Sequence, residues 1–113
     1  ASAAAEYFGN KELVNPEDAF AASLASCHML TFLAIASIKK YTLSSYEDNA
    51  VAILEKNEQS KMAVTKLYLR PKITFTGDKM PDENSINKMH HLAHSECFIA
   101  HSVLTEIIIE PVF

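Results

Sequence analysis

The sequence has no tryptophan, two cysteines and a single arginine, Arg70, among its 113 residues. Each scarcity excludes something. With nine lysines, one arginine and a net charge of −4, no basic stripe is available to follow a phosphate backbone. Nucleic acid is therefore not an expected partner. Cys27 and Cys97 lie far apart in the chain, which fits neither a zinc clip of closely spaced thiols nor the dense disulfide framework of a secreted mini-protein. No signal peptide is recognisable, so a reducing cytoplasm is the expected compartment, where paired thiols would be reactive rather than structural. The hydrophobic share of 49% and charged share of 21% are those of a globular chain and not of a disordered one. The 113 residues read as a single domain that opens abruptly at "ASAAAEYFGNKELV", as an N-terminally shortened form would.

Charge is also missing from one long internal stretch. Between Ala19 and Ile38 no formally charged residue occurs, which is about the length that crosses a bilayer. Asn15 is suited to an N-cap, Pro16 to the first helical position, and Glu17 and Asp18 to the positive end of a helix dipole. Lys39 and Lys40 stand at the opposite end. A helix over residues 16–39 is expected. Its apolar residues, from Phe20 through Leu24, Met29 and Leu33 to Ile38, cover nearly the whole circumference, so it must be buried in protein or in lipid. Ser23, Ser26, His28, Thr31 and Ser37, the many alanines and the lack of interfacial aromatics argue for protein, and no membrane partner is expected. So small a chain cannot easily wrap a helix of about 35 Å on every side. The expected solution is an obligate homodimer.

Past Lys40 the period changes. "AVAILEK" (50–56) and "KMAVTKLYLRPKITFTG" (61–77) are rich in β-branched and aromatic residues and read as two antiparallel strands joined by "NEQS". Pro71 should mark a bulge or an edge position in the second. "GDKMPDENS" reads as a loop, residues 82–97 as a second helix, and "VLTEIIIEPVF" as a closing strand.

Two groups of side chains carry chemical potential. The two cysteines, one in each helix, could pair and cycle between dithiol and disulfide. Spacing alone leaves that reading open against two inert core thiols, because Cys27 is too far into its helix for the N-terminal dipole and His28 points about 100° away from it. His90, His94, Cys97 and His101 recur at helical spacing, which admits a metal site. Solvated or hydrogen-bonding histidines are the plainer reading, and no metal or cofactor is expected. Acyl transfer by a Cys–His pair lacks an orienting third residue.

"NPEDAFAASLASCHMLTFLAIA" resembles the central-helix signature of the OsmC/Ohr family of thiol peroxidases, and "HHLAHSECFIAHSV" resembles the family's second helix. The two motifs occur in the family's order, and the similarity runs from about Asn15 to the C-terminus. The resemblance implies an α+β fold in which a long buried central helix packs against antiparallel sheet within an intertwined homodimer. It implies that Cys27 is the peroxidatic cysteine, that Cys97 resolves it, and that Glu17 is the motif glutamate, which in the family helps hold an arginine against the sulfur. The expected reaction is reduction of organic hydroperoxides or hydrogen peroxide, with an external thiol as reductant. A non-catalytic dimer binding a small apolar or electrophilic molecule is the alternative. This chain has no arginine before Arg70, and Arg70 does not match the family position.

Overall fold

The structure, a computed structural model, describes residues 15–113. Tyr7, Phe8 and the rest of the opening segment lie outside the described residues. Helix α1 spans Pro16–Ile38. The Asn15 side chain accepts the Asp18 N–H at 2.8 Å, satisfying one of the helix's orphan donors. At the far end Tyr41 N–H donates to the Ala36 carbonyl (2.9 Å) and Lys40 N–H to the Ser37 carbonyl (3.1 Å). This paired closure requires a left-handed residue, and Lys40 (φ 65°) supplies it without being glycine.

Four strands follow: β1 (Thr42–Asp48), β2 (Val51–Lys56), β3 (Met62–Leu69) and β4 (Pro71–Thr76). Helix α2 (Glu83–Glu96), a turn of 3-10 helix (Ala100–Ser102) and β5 (Glu106–Ile109) complete the order. Strands β1 and β4 form an antiparallel pair; β2, β3 and β5 form a second sheet in that order, with β2–β3 antiparallel and β3–β5 parallel. The β2–β3 turn is held by Asn57, whose side chain accepts the N–H groups of Gln59 (2.9 Å) and Lys61 (3.1 Å).

Two expectations need correction. Residues 61–77 are not one strand but two, divided at Arg70 and placed in different sheets. Pro71 has no N–H to contribute, and the Arg70 N–H is spent on the Asp48 carboxylate at 2.8 Å, so the ladder cannot continue through this point. Pro71 accordingly opens β4, while the bulges fall elsewhere, at Leu43/Ser45 and Ile53/Leu54. The polar segment after Lys40 supplies β1, which has no simple alternation to reveal it and is exposed at Thr42, Ser44, Ser45 and Glu47.

The core falls into two clusters along α1. Ala21 and Leu24 pack on Leu67 and Leu69 of β3, whereas Phe32, Ile35 and Ala36 pack on Phe75 of β4 and on Met89 and Ala93 of α2. The described residues cover one face of α1: Leu30 is 60% exposed and Ile38 80%. Phe32, fully buried among Tyr46, Phe75 and His90, joins both helices to the β1–β4 pair. Phe32→Ala should lower stability by about 3–5 kcal/mol through lost burial and the cavity left behind. A urea midpoint unchanged from wild type would show that these contacts do not hold the fold.

Candidate active site

Where the two core clusters meet, α1 carries Cys27 and His28. Helix α2 crosses α1 there, and its residues at helical spacing put Met89, His90 and Ala93 on the buried face. The helix then stops at Cys97, whose backbone is extended (φ −76°, ψ 113°). This break turns the chain back across α1. It brings the sulfur of Cys97, and the main chain of the residues after it, up to Cys27.

Both thiols are free, and they lie near enough for each to shift the other's ionisation. Cys27 is half-buried and Cys97 is 2% exposed. Burial pushes the Cys27 thiol up, but the opposing donors win: the Cys97 thiol, the main-chain N–H groups of Ile99 and Phe98, and the Thr31 hydroxyl together hold it below its ordinary value. Polar donors close to a sulfur favour its charged form. Thr31 lies one turn beyond Cys27, and its hydroxyl donates to the Cys27 carbonyl at 2.8 Å. Cys97 moves the other way. Burial raises it, and so does the neighbouring Cys27, despite the N–H groups of Ala100 and Ile99. The pair is polarised: Cys27 is the more acidic thiol and Cys97 the less acidic.

His28 does not activate Cys27. Its Nε2 lies 3.0 Å from His90 Nδ1, inside the protein, with both residues at most 2% exposed. The ring planes are 8° apart with centroids at 5.2 Å, so the facing nitrogens are much the closer points and the rings meet edge to edge. Burial pushes His28 down to about 4, with His94 acting in the same direction, and His90 down to about 3, with His28 adding to it. Both imidazoles are neutral near pH 7. The histidine series on α2 is thereby dispersed: His90 is committed to α1, and the His101 ring contacts the Ser95 carbonyl. Among the described residues no group of three His, Cys, Asp or Glu side chains is arranged to hold a metal ion.

Glu17 sits half-buried in the first turn of α1, ten residues before Cys27 and therefore about 15 Å away along the axis. Arg70 pairs with Glu110 at 2.9 Å on the surface. Thus the structure brings Cys27 and Cys97 together and leaves Glu17 apart. Of the activating groups not anticipated from sequence, Thr31 was legible as the residue four after Cys27. The N–H groups of Phe98 and Ile99 were not, since every residue but proline carries one.

The long apolar central helix, the second helix ending at a cysteine, and the two facing thiols define a class of fold and site. The sequence model of the OsmC-like protein family matches residues 9–111, and the chain belongs to that family. Among solved structures it is similar to an OsmC-like protein of unknown function from Vibrio cholerae, with 51% identity and a TM-score of 0.89 over 91% of this chain and 67% of that one. It also shares its fold with the organic hydroperoxide resistance protein OhrB of Bacillus subtilis, at 20% identity and a TM-score of 0.74 over 96% and 76% of the two chains. The organic hydroperoxide resistance protein OsmC of Legionella pneumophila aligns at 19% identity and a TM-score of 0.69 over 94% and 74%. No curated protein sequence matches the chain.

Proposed function

We propose that the protein is a thiol-dependent peroxidase that reduces organic hydroperoxides or hydrogen peroxide. The observation that carries this reading is the opposed polarisation of two adjacent thiols, Cys27 lowered and Cys97 raised. A thiolate at Cys27 attacks one peroxide oxygen and the O–O bond breaks. The sulfur becomes a sulfenic acid, and the departing alkoxide or hydroxide takes a proton. The Cys97 sulfur then attacks the oxidised sulfur, water leaves, and a Cys27–Cys97 disulfide forms. An external thiol returns both sulfurs to the reduced state. Family membership supports the reading, because the OsmC-like fold is shared with proteins described as conferring hydroperoxide resistance.

The uncovered apolar face of α1 supports a homodimer built on that helix. At about 15 Å, Glu17 acts through an intermediary or on the partner subunit's site. The alternative is a non-catalytic dimer that binds a small apolar or electrophilic molecule at the interface pocket. The direct test mixes reduced protein with one equivalent of tert-butyl hydroperoxide. Both thiols should be lost in step with the peroxide, and peptide mapping should find the Cys27–Cys97 disulfide. Peroxide decaying only at the rate of buffer would sink the proposal.

A further inference from the structure

The buried histidine pair leaves two nitrogens over. His28 Nε2 and His90 Nδ1 face each other at 3.0 Å, whereas His28 Nδ1 and His90 Nε2 are buried and have no hydrogen-bond partner among the described residues. Two neutral imidazoles carry two N–H groups and two lone pairs, and the facing nitrogens use one of each. The outer nitrogens therefore keep one N–H and one lone pair between them, and stranding either in the interior is costly.

His90, only 2% exposed, also lines a cavity of about 260 Å³ between α2 and β5. With Nδ1 spent on α1, Nε2 on the other edge of the ring is the nitrogen left to face it. Asn87, His90, His91 and His94 form one wall, at a spacing that puts them along one side of α2. Ile107 and Ile109, which share a face of β5, form the other with Pro111. No residue of α1 lines the cavity, so the helix face proposed for the subunit contact is not part of it. The lining holds no Asp, Glu, Lys or Arg, and a charged ligand would be desolvated there without a counter-charge. The volume is below the ~300–1,000 Å³ of sites for drug-sized ligands, which suits a molecule of a few non-hydrogen atoms. We propose that this cavity binds a small neutral alcohol, with its hydroxyl on His90 Nε2 and its apolar part against Ile107, Ile109 and Pro111.

A hydroxyl is singled out because it both donates and accepts. With the shared proton on His28 Nε2, His90 Nε2 carries its own N–H and donates to the alcohol oxygen. With the shared proton on His90 Nδ1, Nε2 is bare and accepts the alcohol O–H. An ether or ketone can only accept, and an ammonium can only donate. The lining includes neither cysteine, so binding does not depend on the peroxidase reading.

The test titrates tert-butanol into isotope-labelled wild-type protein while NMR follows the histidine ring nitrogens and the isoleucine methyl groups. A second sample receives tert-butylamine, which has the same shape but is an ammonium near pH 7. The alcohol should shift the His90 ring nitrogens and the Ile107 and Ile109 methyls along one saturating curve. Half-saturation on the order of 1 mM is within reach of a ligand of about five non-hydrogen atoms. The amine should bind at least about tenfold more weakly, because its charge has no partner in the cavity. Folded Ile109→Trp, with the cavity filled, should lose the response to the alcohol. Shifts that stay linear in alcohol, or that map away from these residues, would overturn the proposal. So would equal affinity for the amine, or an unchanged response in folded Ile109→Trp.

Discussion

Cys27→Ser should abolish peroxide consumption, whereas Cys97→Ser should consume one equivalent in a fast phase and then fail to turn over. The two thiols are neighbours of unequal acidity. A hydroxyl at position 27 has no accessible anion near pH 7, and the donors that stabilise a thiolate there (the Cys97 thiol, two main-chain N–H groups and the Thr31 hydroxyl) have nothing charged to hold. Loss of a nucleophile for which no neighbour substitutes costs at least ~10³-fold in rate. His28 cannot take over, because it is bonded to His90 in the interior. Cys97→Ser keeps a hydroxyl donor where the thiol was, so the first oxidation should proceed within a few-fold of wild type. No second sulfur is then present to displace water from the sulfenic acid. The variant should accumulate a species that dimedone labels at Cys27 and that excess peroxide drives on to the sulfinic acid. Equal activity in wild type and Cys97→Ser with a dithiol reductant would show that the reductant resolves the sulfenic acid directly. Activity surviving in Cys27→Ser would show that the nucleophile lies elsewhere.

The same site shows where a sequence runs out. The helix at Pro16–Ile38 was readable because its caps and composition agree, and the family because two motifs surround Cys27 and Cys97 in order. The break at Arg70 was not, although Pro71 marked the place, because a Pro at a strand's edge and a Pro between two strands look alike in one dimension. Strand β1 was hidden by its serines and acids, which are exposed in a sheet of two strands among the described residues. The nearness of Cys97 to Cys27 was an expectation of the resemblance, but what lowers the Cys27 thiol was not legible. Arginine and histidine are the charged groups a sequence offers for that role, whereas the groups that lower Cys27 are uncharged, two of the four being main chain. His28 and His90 each sat at a core position of their own helix, yet nothing local joined residues 62 apart. Pairing of that kind is decided by how two helices cross.

That histidine pair sets the expected response to acid. An unfolded imidazole takes up its proton as pH falls through about 6.5, but burial delays His28 to about 4 and His90 to about 3. Across this window the unfolded chain binds more protons than the folded one, so stability falls as pH falls; above about 6.5 both states are neutral and the contribution is fully present. Each imidazole held neutral costs ~1.4 kcal/mol per pH unit within the window. By pH 4 the pair together therefore removes several kcal/mol, a large share of a typical folding free energy. Asp48, which burial pushes up, acts in the opposite sense over its own range and softens the slope. Urea midpoints measured from pH 7 to pH 4 should decline steeply for wild type. His28→Leu alone should destabilise at every pH, since it strands His90 Nδ1 without its partner in the interior. Replacing both histidines with leucine removes the buried polar atoms together and should flatten the decline even if the stability at pH 7 changes. Parallel declines in wild type and the double variant would place the acid lability elsewhere, most directly on the surface carboxylates.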